Sequence, residues 1–324
     1  MSVSASLQPT IKRTLKNFVS LPVFQELPLF QACRQCQQPT PVREPVCVNC
    51  GTRQLTTAAL HAKTQIEGRF LAAFFARDTP ITYLLFLTNL SLYLLAAASA
   101  SGSPFANLLH GADGPTLLAF GAKTNAALLG GEYFRFITPI FLHLSGLHLL
   151  SNCFALAIVG PQVERLYGSV RFLLIYLLAG IGGVLSSVLA HALDGKPTTL
   201  AVGASGAIFG LFGVLAVFSF KYRAELPDSF INSFAVAVLP AIGVNLFVGF
   251  TVPFIDNSIH LGGLLAGAGL ALIIPYLAPG RERVTGGQMA LVVVCVFMVA
   301  CCFARAYQVS PRYLPHTVQA RAKV

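Results

Sequence analysis

A serine and a histidine, Ser205 and His260, stand in two apolar segments of the chain, each beside a row of small residues. A serine hydroxyl is a poor nucleophile near neutral pH, but a neutral imidazole within reach can take its proton. On a helix, Gly206, Gly210 and Gly213 fall on one narrow face that Ser205 borders. Such a face lets a second helix approach closely. The pattern therefore predicts nucleophilic attack on a carbonyl, with Ser205 as the nucleophile.

The histidine lies on a matching stripe, spaced at i, i+3, i+7 and i+11. The members of the stripe are His260, Gly263, Gly267 and Ala271. Two glycine-faced helices can bring a nucleophile and its general base together inside a membrane. Asp256 precedes the histidine, but it falls about 40° off the same helix face. We therefore predict a Ser–His dyad without a third, acidic member.

Two further polar side chains, His148 and Asn152, are four residues apart and so share one helix face at the end of an earlier apolar segment. With the backbone N–H of Ser205, they are predicted to stabilise an oxyanion. Gly203 is predicted to form the turn at the active site. Phe209 is assigned to the substrate-binding side, although one turn after Ser205 it is also placed to pack in the core or to stack on the imidazole.

Each of these residues has a structural alternative. Ser205 could close a helix contact as small residues do in membranes, and His260 could be an interhelical hydrogen-bonding group. His148 and Asn152 could cap or tie helices. The four polar residues together, predicted at one depth, favour the catalytic interpretation.

Four cysteines near the beginning of the sequence form two Cys-x2-Cys pairs separated by ten residues. They are Cys33, Cys36, Cys47 and Cys50, and Gly51 follows the last one. Two such pairs are typical of a closed structural zinc site, whose metal supplies the folding energy of a small module. A pair of disulfides or free thiols is the alternative. We predict structural Zn²⁺ here and no cofactor for catalysis.

The composition is that of a membrane protein. Of 324 residues, 55% are hydrophobic and 10% charged, against about 25% charged in soluble domains, and the mean hydropathy is +0.70. Apolar runs of about 20 residues predict a polytopic helical protein in place of a large soluble core. The net charge of +10 suits basic cytoplasmic flanks and anionic lipid headgroups. The basic residues are scattered and form no nucleic-acid motif, so no nucleic-acid partner is predicted.

Seven spans are predicted, with Ser205 in the fourth and His260 in the sixth. Their ranges are 81–100, 145–163, 171–192, 201–220, 231–252, the histidine segment to 277, and 288–304. The connection 101–142 is predicted to be a partly membrane-embedded loop with short helices. The predicted domains are an N-terminal segment 1–28, the four-cysteine module 29–54, a linker or interfacial helix 55–80, a catalytic core 81–278, the seventh helix 279–304 and a basic tail 305–324.

Basic residues concentrate in the short connections 164–171, 221–230 and 279–287. By the positive-inside rule these connections are cytoplasmic. The N-terminus and the cysteine module are then cytoplasmic as well, and the active site opens to the outer side. We expect a multi-pass protein of a bacterial inner membrane.

The motifs together resemble the rhomboid intramembrane serine proteases, from about residue 80 to 278. The residues that carry the resemblance are Gly203-Ala204-Ser205-Gly206, the pair His148 and Asn152, His260 with Gly263 and Gly267, Glu132-Tyr133-Phe134-Arg135, Phe141-Leu142-His143, and Glu164-Arg165-x-x-Gly168. The resemblance implies an all-α polytopic fold with a six-helix core, here with a seventh helix and a small zinc module. It also implies a Ser205–His260 dyad with His148 and Asn152 at the oxyanion, and a fifth span that gates substrate entry.

Two positions depart from the family pattern. Phe134 stands where a tryptophan usually precedes Arg135, and the chain contains no tryptophan. Ile259 stands where an alanine usually precedes His260. Neither change removes a reactive group.

The predicted function is that of an intramembrane serine endopeptidase acting on transmembrane segments of other proteins in the lipid bilayer. An inactive rhomboid-like scaffold is the alternative, but its usual signature is loss of the serine or the histidine, and both are present. A transporter built on inverted repeats is a third class, for which the halves of the chain offer no matching pair of broken helices. The zinc module is a candidate for binding a partner protein.

Overall fold

The computed structural model describes residues 30–41, 43–54, 68, 71–193, 200–223, 256–277 and 285–314, and the positions 226, 236, 238, 240–244, 246, 247, 249 and 251. The chain divides into two units, Met1–Phe70 and Leu71–Val324. The predicted segment 1–28 lies outside the described residues, as do most of the predicted linker 55–80 and the end of the tail.

The first unit holds a small antiparallel hairpin. Strand β1 (Phe30–Ala32) pairs with β2 (Pro39–Pro41). A second turn is closed by a bridge between Val46 and Arg53. Between those two residues, Gly51 adopts a φ of 72°, a conformation that glycine allows without strain and that closes the tight turn. The small cysteine-rich module expected from the sequence is therefore present.

The second unit is helical. Its helices are α1 (Pro80–Ser99), α2 (Pro104–His110), α3 (Gly114–Phe120), α4 (Asn125–Leu129), α5 (Gly146–Tyr167), α6 (Ser169–Leu193), α7 (Ser205–Lys221), α8 (Asn257–Ile273) and α9 (Gly286–Val309). Among the described residues, four helical stretches are long and apolar enough to cross a membrane, and α7 and α8 are shorter apolar helices. The unit has the expected all-α, polytopic, rhomboid-like architecture.

Helices α1, α5, α6, α7, α8 and α9 correspond to six of the predicted spans. The fifth predicted span, 231–252, falls largely outside the described residues, although its described positions from 236 to 251 are helical. The predicted loop 101–142 contains α2, α3 and α4, followed by the two short 3-10 helices Tyr133–Phe136 and Thr138–Phe141. The short helices predicted in this loop are thus confirmed.

The serine helix begins later than predicted. The apolar segment was expected to be helical from residue 201, but α7 begins at Ser205. Ala201 instead forms a two-way backbone bridge with Lys123. Gly203 has a φ of 137°, which only glycine adopts without strain, so a helix cannot include it. The reactive serine therefore lies at the junction between an extended segment and a helix.

Helix α5 also extends past its predicted end at 163 and stops at Tyr167 before Gly168, whose φ is 76°. The carboxylate of Glu164, at the end of this helix, is buried. It accepts hydrogen bonds from the backbone N–H groups of Ile81 at 3.0 Å and Thr82 at 2.8 Å. Amides in the first turn of a helix have no acceptor within that helix. Glu164 of α5 supplies the acceptor and so caps α1.

At the other end of the unit, α9 continues to Val309 and is followed by the 3-10 turn Ser310–Arg312. The predicted tail 305–324 therefore begins inside a helix. Ala306 and Val309 are buried against Phe134 of the loop that precedes α5.

Glycines allow α7 and α8 to meet almost backbone to backbone. A Cβ on Gly263 would overlap the carbonyl of Gly206, and a Cβ on Gly267 would overlap that of Gly210. The buried residues of α8 are those of the stripe predicted from the sequence, His260, Gly263, Gly267 and Ala271. The glycine-mediated contact is confirmed, and it brings the first turns of the two helices together.

Candidate active site

The side chains of Ser205 and His260 meet where these first turns approach. His260 Nε2 lies 2.9 Å from Ser205 Oγ, within hydrogen-bonding distance. Ser205 is the first residue of α7, and His260 lies in the first turn of α8. A hydroxyl and an imidazole in this relationship can share a proton, which is the geometry that a Ser–His dyad requires. Their catalytic roles stay a prediction.

The imidazole is held from one side by an aromatic ring. Phe209 stacks on His260 with ring centroids 4.3 Å apart and an interplanar angle of 9°. The stacking expected as one alternative for Phe209 is present, the side chain is only 3% exposed, and a role in substrate binding stays a prediction. His260 Nδ1 has no hydrogen-bond partner within the described part of the chain. Asp256, the nearest acid in sequence, instead accepts from the backbone N–H of Ser258 at 3.0 Å as the N-cap of α8.

The ring of His148 lies against the segment that leads to the serine. Its Nδ1 accepts a long hydrogen bond of 3.4 Å from the backbone N–H of Leu144. An accepting Nδ1 leaves the hydrogen of a neutral imidazole on Nε2. A Cβ on Gly203 would come within 2.9 Å of that Nε2 and 3.6 Å of Ser205 Oγ. The Nε2–H of His148 therefore lies close to the backbone of Gly203, next to Ser205. Only a glycine at position 203 leaves room for the imidazole ring.

Asn152 lies one turn further along α5 and is buried. Its Nδ2 donates to the backbone oxygen of His148 at 2.9 Å. An amide NH2 has two hydrogens, and this bond uses one of them. The bond fixes the side chain on the helix face that carries His148, as the i, i+4 spacing predicts. The roles of both residues at an oxyanion stay predictions.

The bulkier residue before the histidine, Ile259, is accommodated by glycines on two helices. Its Cγ2 would lie 2.7 Å from a Cβ on Gly206 and 3.2 Å from a Cβ on Gly183. The larger side chain therefore fits because neither neighbouring helix has a side chain at that level.

The loop before α5 is anchored by Arg135, a residue of the motif, and by an aromatic partner that the sequence analysis did not identify. Arg135 is fully buried, with its Nε donating to Glu132 Oε2 at 2.7 Å and its Nη1 to the backbone oxygen of Leu118 at 2.9 Å. Its guanidinium lies 5.0 Å from the ring centroid of Phe134 and 4.9 Å from that of Tyr313. Tyr313 thus supplies an aromatic surface beside a motif that lacks its usual tryptophan. The missing tryptophan was the one available signal, but it does not point to Tyr313.

In the first unit, the four predicted cysteine ligands converge. Cys33 Sγ lies 3.4 Å from Cys50 Sγ, and Cys36 Sγ lies 3.7 Å from Cys47 Sγ. All four sulfur atoms lie within 4.8 Å of one another, and no disulfide joins them. Zn–S bonds of about 2.3 Å in a tetrahedron place the sulfurs about 3.8 Å apart. The cluster therefore fits a tetrahedral metal ion.

Hydrogen bonds favour the thiolate form of two of these cysteines. The Thr40 hydroxyl donates to Cys47 Sγ at 3.1 Å and lowers the pKa of that thiol to about 6. The hydroxyl and the backbone N–H of Thr52 lower the pKa of Cys50. Zinc binds the thiolate, which these two contacts favour, whereas partial burial and hydrogen bonds with the other three cysteines raise the pKa of the Cys36 thiol to about 12.

Comparison with known proteins gives the family. Residues 130–277 match the Rhomboid domain. The chain is 35% identical over 243 residues to the rhomboid protease GluP of Bacillus subtilis (strain 168), covering 74% of this chain and 44% of GluP. It is 36% identical over 143 residues to the putative rhomboid protease YdcA of the same organism, covering 44% of this chain and 68% of YdcA. It is 29% identical over 241 residues to the rhomboid protease AarA of Providencia stuartii, covering 68% of this chain and 78% of AarA.

The chain thus spans less than half of GluP, and its similarity to YdcA covers about two thirds of that relative. The matched part includes α5, α6, α7 and α8 and the segment that leads to Ser205, and so contains every candidate active-site residue predicted from the sequence. Fold, motif order and sequence similarity agree, and this chain belongs to the rhomboid family.

Proposed function

We propose that the chain is an intramembrane serine endopeptidase that cleaves transmembrane segments of other membrane proteins. The observation that carries the proposal is the 2.9 Å separation of Ser205 Oγ and His260 Nε2. The pair is held by α7 and α8, which are in glycine-mediated contact. A Cβ on Gly263 or Gly267 of α8 would overlap a backbone carbonyl of α7. The relatives GluP and AarA, which are rhomboid proteases by name, support the same function.

In the proposed reaction, Ser205 Oγ attacks the carbonyl carbon of the scissile amide while its proton passes to His260 Nε2. The tetrahedral intermediate collapses, the C–N bond breaks, and His260 returns the proton to the leaving amine. A water molecule then attacks the acyl-serine ester with His260 as base, which releases the new carboxylate and restores the hydroxyl. Phe209 keeps the imidazole in the plane that this proton transfer requires.

The developing oxyanion is proposed to be held by the Nε2–H of His148, the amide of Asn152 and the backbone N–H of Ser205. Gly203 lets the His148 ring approach, because a side chain at this position would meet the ring. Removing one donor of this kind lowers turnover by about 10²–10³-fold.

The lipid bilayer constrains both the kind of substrate segment that can be cleaved and the orientation of the protein in the membrane. A helical substrate hides its amides in hydrogen bonds, so cleavage requires local unwinding, and small or helix-breaking residues in the substrate favour it. The distribution of basic residues supports a cytoplasmic N-terminus and an active site that opens to the outer side of a bacterial inner membrane.

For the first unit we propose a structural Zn²⁺ held by Cys33, Cys36, Cys47 and Cys50, supported by their mutual distances. Bound zinc would supply folding energy to a module too small for a core of its own. We propose the limits 29–54 for this module and 81–278 for the catalytic core, and a partner protein as the ligand of the zinc-bound module.

The proposed activity is tested with purified full-length protein and a labelled transmembrane substrate. Wild type is expected to cleave, and Ser205→Ala and His260→Ala to abolish cleavage while the melting temperature stays near that of wild type. Cleavage by both variants at the wild-type rate would rule out the dyad. If wild type cleaves none of a panel of substrates, the inactive scaffold is favoured. The presence of both Ser205 and His260, at hydrogen-bonding distance, argues for the protease.

A further inference from the structure

A buried lysine and a half-buried carboxylate lie next to the active site, and no step above uses them. Lys123 is 0% exposed. Its Nζ donates to Ser187 Oγ on α6 at 2.6 Å, and Ser187 Oγ donates in turn to Asp256 Oδ2 at 2.5 Å. One hydroxyl thus joins a cation to an anion across three separate parts of the chain.

The lysine end of this chain of hydrogen bonds borders the serine. The Lys123 backbone N–H donates to Ala201 O at 3.0 Å, and the Ala201 N–H donates back to Lys123 O at 2.9 Å. Lys123 also lines a small cavity of about 10 Å³ together with Gly203 and Gly206, on either side of Ser205. The position of Lys123 therefore fixes the extended segment that enters α7.

The aspartate end borders the histidine. Asp256 is the N-cap of α8, with Oδ1 accepting from the backbone N–H of Ser258 at 3.0 Å. Its Oδ2 accepts from Ser187 and lies 3.6 Å from His191 Nδ1. His260 follows the cap by four residues, in the first turn of the helix. The direction of that turn therefore depends on where the Asp256 carboxylate is held.

We propose that Lys123, Ser187 and Asp256 form a largely buried link that positions Ser205 and His260 relative to each other. An unpaired buried charge is strongly destabilising, so the arrangement that keeps both charges joined through the hydroxyl is favoured over neighbouring ones. These are positioning residues, since none of them touches the reacting atoms. The link rests on the proposed function only in the claim that what it positions is a catalytic pair.

The link is tested first without reference to catalysis, in the full-length protein. The variants are Lys123→Met, Asp256→Asn, their double mutant, and Ser187→Ala, which removes the bridge and keeps both charges. The matched control is Lys221→Met, because Lys221 Nζ also joins α7 to α8, through the Ala271 and Leu272 oxygens, but at the far end of α7. Thermal midpoints and hydrogen exchange by mass spectrometry are measured for each.

We expect each single variant to lower the thermal midpoint and the double mutant to lower it by less than the sum, because removing both charges leaves neither unpaired. Hydrogen exchange should quicken in peptides covering 200–206 and 257–262 for Lys123→Met and Ser187→Ala, and not for Lys221→Met. Additive midpoints together with unchanged exchange in both peptides would overturn the link.

Activity adds the second readout. In the single variants, kcat for a transmembrane substrate should fall about tenfold or more while KM stays near wild type, because misalignment acts on the transition state. Equal kcat in wild type and Ser187→Ala would overturn the positioning role. If wild type cleaves nothing, the proposed function fails, while the thermal and exchange measurements still decide whether the link holds the two segments.

Discussion

The phenolic hydroxyl of Tyr313 donates a hydrogen bond of 2.8 Å to Glu132 Oε1. Glu132 belongs to the loop before α5, and Tyr313 follows α9, so the two are 181 residues apart in sequence. The contact places the end of α9 on the same side of the unit as that loop, as a seven-span topology requires. It also makes the seventh helix part of the support for Arg135, whose guanidinium lies over the Tyr313 ring.

The first prediction concerns this anchor. Tyr313→Ala should lower the thermal midpoint and reduce cleavage several-fold, because it removes both the hydrogen bond and the surface beneath Arg135. Tyr313→Phe keeps the ring and should lose only about 1 kcal/mol of stability. Tyr307→Ala is the control, since Tyr307 is an exposed tyrosine in the last turn of α9. Equal midpoints and rates for Tyr313→Ala and Tyr307→Ala would show that α9 does not support the loop.

The second prediction concerns the contact between α7 and α8. Gly263→Ala should abolish most of the activity and destabilise the protein, because its Cβ would overlap the Gly206 carbonyl and force the helices apart. Gly269→Ala, in the same helix, meets open space and should be neutral. Melting temperatures and cleavage rates of the two variants check this. If both substitutions are equally harmless, the helices are not held together by the glycine seam.

The contact between α7 and α8 can be predicted from the sequence because it depends on a local pattern. The stripe of His260, Gly263 and Gly267 is a local pattern of period 3.6, and a helix converts it directly into a buried face. The helix start at Ser205 was missed because the apolar character of the segment hides the turn at Gly203. The capping role of Glu164 could not be predicted locally, because its partners are the amides of a helix more than 80 residues earlier.

Residues that act through distant partners are the ones sequence patterns miss. Lys123 and Tyr313 carry no local motif, and their partners Ser187 and Glu132 are 64 and 181 residues away. A charge in a loop and a tyrosine near the end of a helix look like ordinary surface residues until the tertiary contacts are known. The packing of α9 on the loop creates the Tyr313 contact, and the position of α6 creates the Lys123 contact.

The third prediction separates two roles of Phe209. If its stacking orients the imidazole, Phe209→Ala should lower kcat with little change in KM, because the loss is confined to the transition state. If Phe209 contacts the substrate, KM should rise instead. Phe220→Ala is the control, since Phe220 is an exposed residue of the same helix. Steady-state kinetics with one transmembrane substrate distinguish these outcomes.

The fourth prediction concerns the metal. The purified protein should contain about one zinc per chain, and the double variant Cys33→Ser with Cys36→Ser should contain none. Cys301→Ser should keep the metal, because Cys301 is an exposed thiol on α9 outside the cluster. Elemental analysis gives the stoichiometry. Metal-free wild-type protein, prepared without chelator, would contradict the site.

The central claim is that His260 activates Ser205 for attack, and covalent labelling by a fluorophosphonate tests it most directly. Peptide mass spectrometry should locate a single adduct on Ser205 in wild type and in the controls Ser219→Ala and His110→Ala. The adduct should be absent from Ser205→Ala and reduced at least about 10³-fold in rate in His260→Ala. Labelling of Ser205 at the wild-type rate in His260→Ala, or an adduct on another residue, would contradict the account.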